Sequence, residues 1–210
     1  MEQERMARGK EEKRRVILEA SLECISRHGY EATRLRDVSE VAGVSIGVIQ
    51  HYFGTREQLL GEALGHASGA LVEHFASLDP SLLSPWEELR GMIGVVCGMP
   101  SLHGRGLLWL EMSSLARRHP ELRERLDSVY VLWDAHVRAA VGRGVQDGSL
   151  ALDSDAGSGS GSVDDLVAIF LAFFDGYEYE IASSLVPDDP ALLERRAVLL
   201  AERLFRPVRA

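Results

Sequence analysis

The sequence predicts an all-α protein of about nine helices, and three observations carry that prediction. Apolar residues recur at spacings of three and four almost throughout, while strand-like alternation is almost absent. Gly and Pro punctuate the pattern at separations that end helices. The composition, 46 % hydrophobic and 26 % charged over 210 residues, belongs to a folded globular chain and is too apolar for a disordered one. The longest apolar runs, such as 166–174, fall far short of the roughly 20 residues a bilayer span requires, so no membrane partner is expected. Residues 1–15 mix acids and bases without an apolar stretch, so a secretory signal is not expected. Two cysteines, Cys24 and Cys97, build neither a disulfide framework nor a zinc site, and a reducing, cytoplasmic compartment follows as the expectation.

The first helix is expected over 10–28, with Ile17, Ala20 and Cys24, and beside them Leu18, Leu22 and Ile25, turned inward and Gly29 ending it. Two short apolar-patterned pieces follow, 35–42 and 45–53, separated by Gly43 and Val44. A longer helix covers 56–78, and its start, Thr55-Arg56-Glu57-Gln58, has the capping-box spacing. Gly61, Gly65 and Gly69 repeat on one face of it, at about 1 kcal/mol each relative to alanine, and mark either close packing or a pliable connector. Pro80 and Pro85 precede a helix over 86–98, and Pro100 separates that from one over 106–118. The next, 121–146, carries the stripe Leu122, Leu126, Val129, Tyr130, Trp133, Val137 and Val141 and stops at Asp147-Gly148. Residues 153–162, DSDAGSGSGS, read as a flexible loop, and helices over 163–184 and 190–205 complete the chain.

Residues 33–53, TRLRDVSEVAGVSIGVIQHYF, hold the most informative pattern. Thr33 is expected to cap a helix whose inward positions are Leu35, Val38 and Val41 or Ala42. Ser39 is small where a second helix crosses closely, Gly43 admits a turn with positive φ, Val44 pins that turn inward, and Ser45 caps the next helix. That helix buries Val48, Ile49 and Phe53 and leaves Ile46, Gly47, Gln50 and His51 outward. Two short helices, a glycine turn and a solvent-facing second helix describe a helix-turn-helix, whose second helix enters the DNA major groove. An ordinary αα-hairpin satisfies the same spacings.

Across residues 15–60, the phrases ILEASLECISRHGYEATRLRDV and AGVSIGVIQHYFGTREQLL resemble the N-terminal domain of the tetracycline-repressor-like (TetR) family of bacterial regulators. Later, RRHPELRERL and DGYEYEIASSLVP are similar to its betaine-regulator-like branch. The resemblance implies a homodimer: residues 1–54 as a DNA-binding domain, its helix-turn-helix over 35–53, reading a palindromic operator in double-stranded DNA. Residues 55–210 would bind a small-molecule effector that lowers DNA affinity, and would dimerise; the implied role is a ligand-responsive repressor. Carried onto this chain, Thr33 and Arg34 would approach phosphates, and Ser45, Ile46, Gly47 and Gln50 would face base edges or nearby sugars. His51, Tyr52, Thr55 and Arg56 would hold phosphates on the other side. Each role suits its chemistry: helix N-termini, hydroxyls and guanidinium groups bind phosphate oxygens, glutamine can read adenine, and an aliphatic side chain can meet a thymine methyl. Family members often have a polar or basic residue where this chain has Ile46, and frequently tyrosine where it has Gln50.

Charge divides along the chain. Residues 1–60 hold ten basic and ten acidic residues, so residues 61–210 carry the whole net charge of −9. Phosphate neutralisation dominates DNA affinity, so DNA is expected at the N-terminal end, where Arg8, Lys10, Lys13, Arg14 and Arg15 cluster. In the second half, one stripe, Leu166, Ile169/Phe170, Phe173 and Tyr177, and another, Val167, Leu171 and Phe174, make a helix apolar on more than one face. With Leu192, Leu193, Leu199, Leu200 and Leu204 it predicts a subunit interface, the alternative being a thick monomeric core. Candidate effector-binding residues are Trp109, Met112, Tyr130, Trp133, Phe174, Tyr177 and Glu178, with Glu111, His136 and Asp175 as polar neighbours. Aromatic rings with carboxylates suit a cation, and an apolar acid or lipid-like molecule is the competing class.

No P-loop, dinucleotide fingerprint, HExxH or nucleophile-elbow motif is present, so an enzyme is not expected. Glu62 and His66 are only two donors, and no metal or cofactor is expected. The alternative function is a helical protein–protein adaptor without operator binding, against which the basic start, Tyr52 and Arg56 argue.

Overall fold

The computed structural model describes residues 2–76, 78, 81–99, 102–117, 120–152 and 161–208. Among them are nine helices and no strand beyond one isolated bridge between Leu150 and Pro207. The helices are α1 (Glu2–His28), α2 (Leu35–Ala42), α3 (Ile46–Phe53), α4 (Arg56–Ala76), α5 (Pro85–Gly98), α6 (Leu102–Leu115), α7 (Pro120–Asp147), α8 (Val163–Ala182) and α9 (Pro190–Phe205).

Local chemistry sets most starts. Thr55 and Gln58 exchange the two bonds of a capping box before α4, Gln58 N–H donating to Thr55 Oγ1 (3.2 Å) and Thr55 N–H to Gln58 Oε1 (3.0 Å). Ser84 with Glu87 and Ser162 with Asp165 do the same for α5 and α8, while Asp189 caps α9 ahead of Pro190. Two starts lie earlier than the pattern predicts. Helix α1 begins at Glu2 rather than near residue 10, and α6 begins at Leu102 rather than near residue 106. In α6 the reason is tertiary: Leu102 is buried, and His103 Nδ1 lies 2.9 Å from the Ile181 carbonyl. Of the loop predicted over 153–162, residues 153–160 lie outside the described residues, as do the side chains of Leu122 and Val129.

The chain forms two compact units. The first comprises Met1–Gly69 and Leu107–Leu126, and its core joins Ile17, Leu18, Cys24, Ile25, Val38, Ile49 and Phe53 to Leu59, Leu60, Leu64, Met112, Leu115 and Leu126. Each fully buried side chain of this size contributes about 1.5–3 kcal/mol. Compactness therefore divides the chain differently from the functional boundary expected at 54/55. The second unit, Ala70–Gly106 with Asp127–Ala210, packs Phe75, Leu89, Ile93, Val137, Val141, Val167, Phe170, Phe174, Leu193 and Phe205. Its α6 and α8 approach closely at Gly106, where a Cβ would stand 2.6 Å from the Glu178 carbonyl oxygen. Among the described residues, nothing outside the helix's own backbone and chain neighbours lies within 4 Å of a Cβ built at Gly61 or Gly69, so close packing against another element does not account for those two glycines.

Candidate nucleic-acid interface

The hairpin is built from short-range bonds. Arg34, rather than Thr33, occupies the N-cap position of α2, and its N–H donates to Asp37 Oδ2 at 2.9 Å. That bond holds the Asp37 carboxyl below its usual range. Thr33 is fully buried instead, its hydroxyl donating to the Gly29 carbonyl at 2.8 Å, because the chain there still folds back on the end of α1. At the turn Gly43 takes φ 64°, which only glycine adopts without strain, and Ser39 Oγ donates to the Val44 carbonyl at 2.5 Å. Ser45 then caps α3, accepting from Val48 N–H at 3.3 Å. Val38 turns inward as expected, whereas Val41 is exposed.

Helix α3 has two distinct faces. Ile49 and Phe53 are locked in the core, and Val48 is half-buried against it. Ile46, Gly47, Gln50 and His51 are exposed, as are Arg34, Ser45 and Thr55, while Tyr52 is half-buried with its ring edge-on to His51 at 5.6 Å. The outward face thus offers an aliphatic group, bare backbone and an amide at positions 46, 47 and 50, flanked by hydroxyl, imidazole and phenol donors.

Arg56 sits differently from the others. Its Nε donates to the Thr33 carbonyl at 2.6 Å, a second guanidinium nitrogen donates to the Tyr30 carbonyl, and the group lies 5.2 Å over the Tyr30 ring. It braces the α1–α2 loop against the start of α4. Sequence reasoning misses this brace, and it places Glu111 beside the candidate effector residues rather than here, where its Oε1 accepts the Tyr30 N–H at 2.9 Å. Eighty-one residues separate that pair, and no local pattern signals it. Arg14 is likewise engaged, pairing with Glu62 and lying 5.2 Å over the Phe53 ring. Arg15 pairs with Glu12 and Glu19 on its own helix.

The candidate effector residues do not form one cluster. Met112 and Trp109 pack in the first unit's core, while Trp133, Phe174 and Tyr177 are buried in the second. There Trp133 stacks on Phe75 at 4.7 Å and meets Phe174 edge-on at 5.5 Å. Tyr130 is 40 % exposed, and its hydroxyl donates to Asp175. Glu178 is paired with Arg105 at 2.8 Å. Both thiols are buried, and burial pushes them up, Cys97 to about 12, far from the reactive thiolate range. Among the described residues no group of His, Cys, Asp and Glu could hold a metal ion, and no helix is long and apolar enough to cross a membrane.

Residues 17–63 match the family model described as bacterial regulatory proteins of the tetR family. The chain is similar to the transcriptional repressor AcnR of Corynebacterium efficiens, with 30 % identity over 140 residues, 67 % of this chain and 70 % of that protein. It is also similar to the transcriptional regulator BetI of Rhizobium meliloti, 28 % identical over 115 residues, 54 % of this chain and 57 % of that one. In fold it resembles a transcriptional regulator from Saccharomonospora viridis solved in complex with choline, at a TM-score of 0.78 and 20 % identity, covering 95 % of this chain and all of that one. The helix-turn-helix, its exposed second helix and these relatives agree, and the chain belongs to the TetR family of DNA-binding transcriptional regulators.

Proposed function

We propose that the protein is a ligand-responsive repressor that binds a palindromic operator as a homodimer. The observation that carries this reading is the asymmetry of α3: Ile49 and Phe53 anchor it while Ile46, Gly47 and Gln50 face outward. In this reading Gln50 and Ile46 read base edges, with Gly47 permitting close approach to a sugar or base. Arg34, Ser45, His51, Tyr52 and Thr55 hold phosphates, and Thr33 and Arg56 act from within by fixing the loop that presents them. Residues 1–54 then serve DNA binding, and residues 55–210 serve effector binding and dimerisation. Exposed Ile169 and Tyr179 on α8 and Leu199 on α9, two helices that pack on each other, leave apolar surface on this pair that a second copy could cover, which supports a dimer face. Two α3 helices related by a two-fold axis would meet half-sites about 34–36 Å apart.

The test is a gel shift on DNA upstream of the protein's own gene, with excess nonspecific competitor, followed by selection from a random duplex library. A competitor-resistant complex that weakens steeply with salt is the expected result. A folded dimer that selects no sequence would overturn operator binding and leave the adaptor function.

A further inference from the structure

We propose that the second unit takes an organic cation, with the Asp175 carboxylate as counter-charge and the Tyr130 and Trp133 rings as the apolar wall beside it. This rests on the reading that the second unit binds the effector. A carboxylate drawn out of water is normally matched by a cation. Asp175 is half-buried, yet its described partner is a neutral hydroxyl, that of Tyr130. Burial, and then the like charge of Glu178 one turn along α8, push the carboxyl up to about 6, so it is largely ionised at neutral pH.

Four arginines of this unit are engaged elsewhere. Arg105 donates to Glu178 and to the Val96 carbonyl. Arg138 pairs with Asp134 and Asp164, and Arg143 with Glu88. Arg196 lies over the Tyr177 ring at 5.6 Å.

The apolar half of the site stands one helical turn away. Trp133 follows Tyr130 by three residues on α7, hence on the same face, and Phe75 stacks behind it while Phe174 holds it edge-on. Ring faces carry negative potential and attract alkylammonium groups. Tyr130 is 40 % exposed, so the carboxylate it holds stands next to solvent rather than sealed within the core. A neutral ligand would leave the Asp175 charge uncompensated, and an anion would be repelled by it.

The experiment uses the full chain. Thermal melting and tryptophan fluorescence are followed against choline, tetraethylammonium and tetraphenylphosphonium, the uncharged choline isostere 3,3-dimethylbutan-1-ol, and octanoate. At least one cation should bind saturably, the isostere at least about tenfold more weakly than choline wherever choline binds, and Asp175→Asn should weaken the cation by about tenfold or more. The ligand-free melting transition of Asp175→Asn, compared with the parent's, establishes that the variant is folded. Binding of no cation, equal binding of choline and its isostere, or undiminished binding to Asp175→Asn would each overturn the proposal. If octanoate alone binds and releases DNA, the cation falls while the ligand-responsive repressor stands. If no probe changes either melting or DNA binding, the cation falls and the effector reading loses its support as well.

Discussion

At Asp175 the folded carboxyl ionises near 6, against an ordinary value of 3.8. Between those values the folded chain holds a proton that the unfolded chain has released, so stability falls as pH rises through the window and stays lowered above it. Asp175→Asn should therefore raise the ligand-free melting temperature more at pH 7.5 than at pH 4.5, measured by calorimetry at both; an equal gain would mean that packing, not charge, had changed. Arg56 belongs to the same scale. Its guanidinium serves two backbone carbonyls, so Arg56→Ala should cost about 2–3 kcal/mol in urea unfolding with no DNA present. A residue expected on family likeness to hold phosphate is thus also a structural brace, and its removal confounds DNA binding with folding. Thr33 was legible as a polar residue at a helix start, but its choice of partner was not. A hydroxyl can bond forward as a cap or back to the preceding helix, and here Asp37 already satisfies the Arg34 N–H.

Among the elements, the hairpin was legible almost to the residue because its caps and turn are made by neighbours in sequence: Ser45 with Val48, Thr55 with Gln58, and Gly43 in the left-handed region. The start of α6 was not, because LHGR has weak helical preference and is held by bonds to α8 and to the loop after it, including His103 N–H to Asp188. Two glycine substitutions should move in opposite directions. Gly106→Ala places a methyl against the Glu178 backbone and should destabilise by about 1–3 kcal/mol. Gly61→Ala meets open space on a helix and should stabilise by about 1 kcal/mol. Chemical denaturation of the two variants beside the parent checks both signs, and a stabilised Gly106→Ala would mean that α6 and α8 can separate at no cost.

For the whole molecule, the predicted dimer depends on a face that the chain alone leaves wet. Ile169 is 52 % and Leu199 53 % exposed, so a charge at either should spare the core. Ile169→Asp should sediment as a monomer and lose operator affinity by two orders of magnitude or more, roughly what removing one half-site from a paired contact does. A variant that remains dimeric would place the interface elsewhere. The division of charge, neutral over residues 1–60 and −9 over the rest, was readable from the sequence and agrees with DNA meeting only the first unit. The effector residues were less readable. Aromatic residues at helical spacing look alike whether they line a site or fill a core, and Trp109 and Met112 proved to pack in a different unit from Trp133 and Phe174.

The first unit's core is completed by residues that arrive late in the chain. Met112, Leu115 and Leu126 close it over Ile17, Val38 and Ile49, and Glu111 caps the loop after α1. A gene fusion that joins residues 1–54 to a foreign partner would therefore carry a reading head with its back wall missing. Exchange of DNA specificity between relatives is expected to succeed by substitution on the outer face of α3, or by grafting 1–69 together with 107–126. Recombination at a single crossover downstream of the hairpin is the route this architecture forbids.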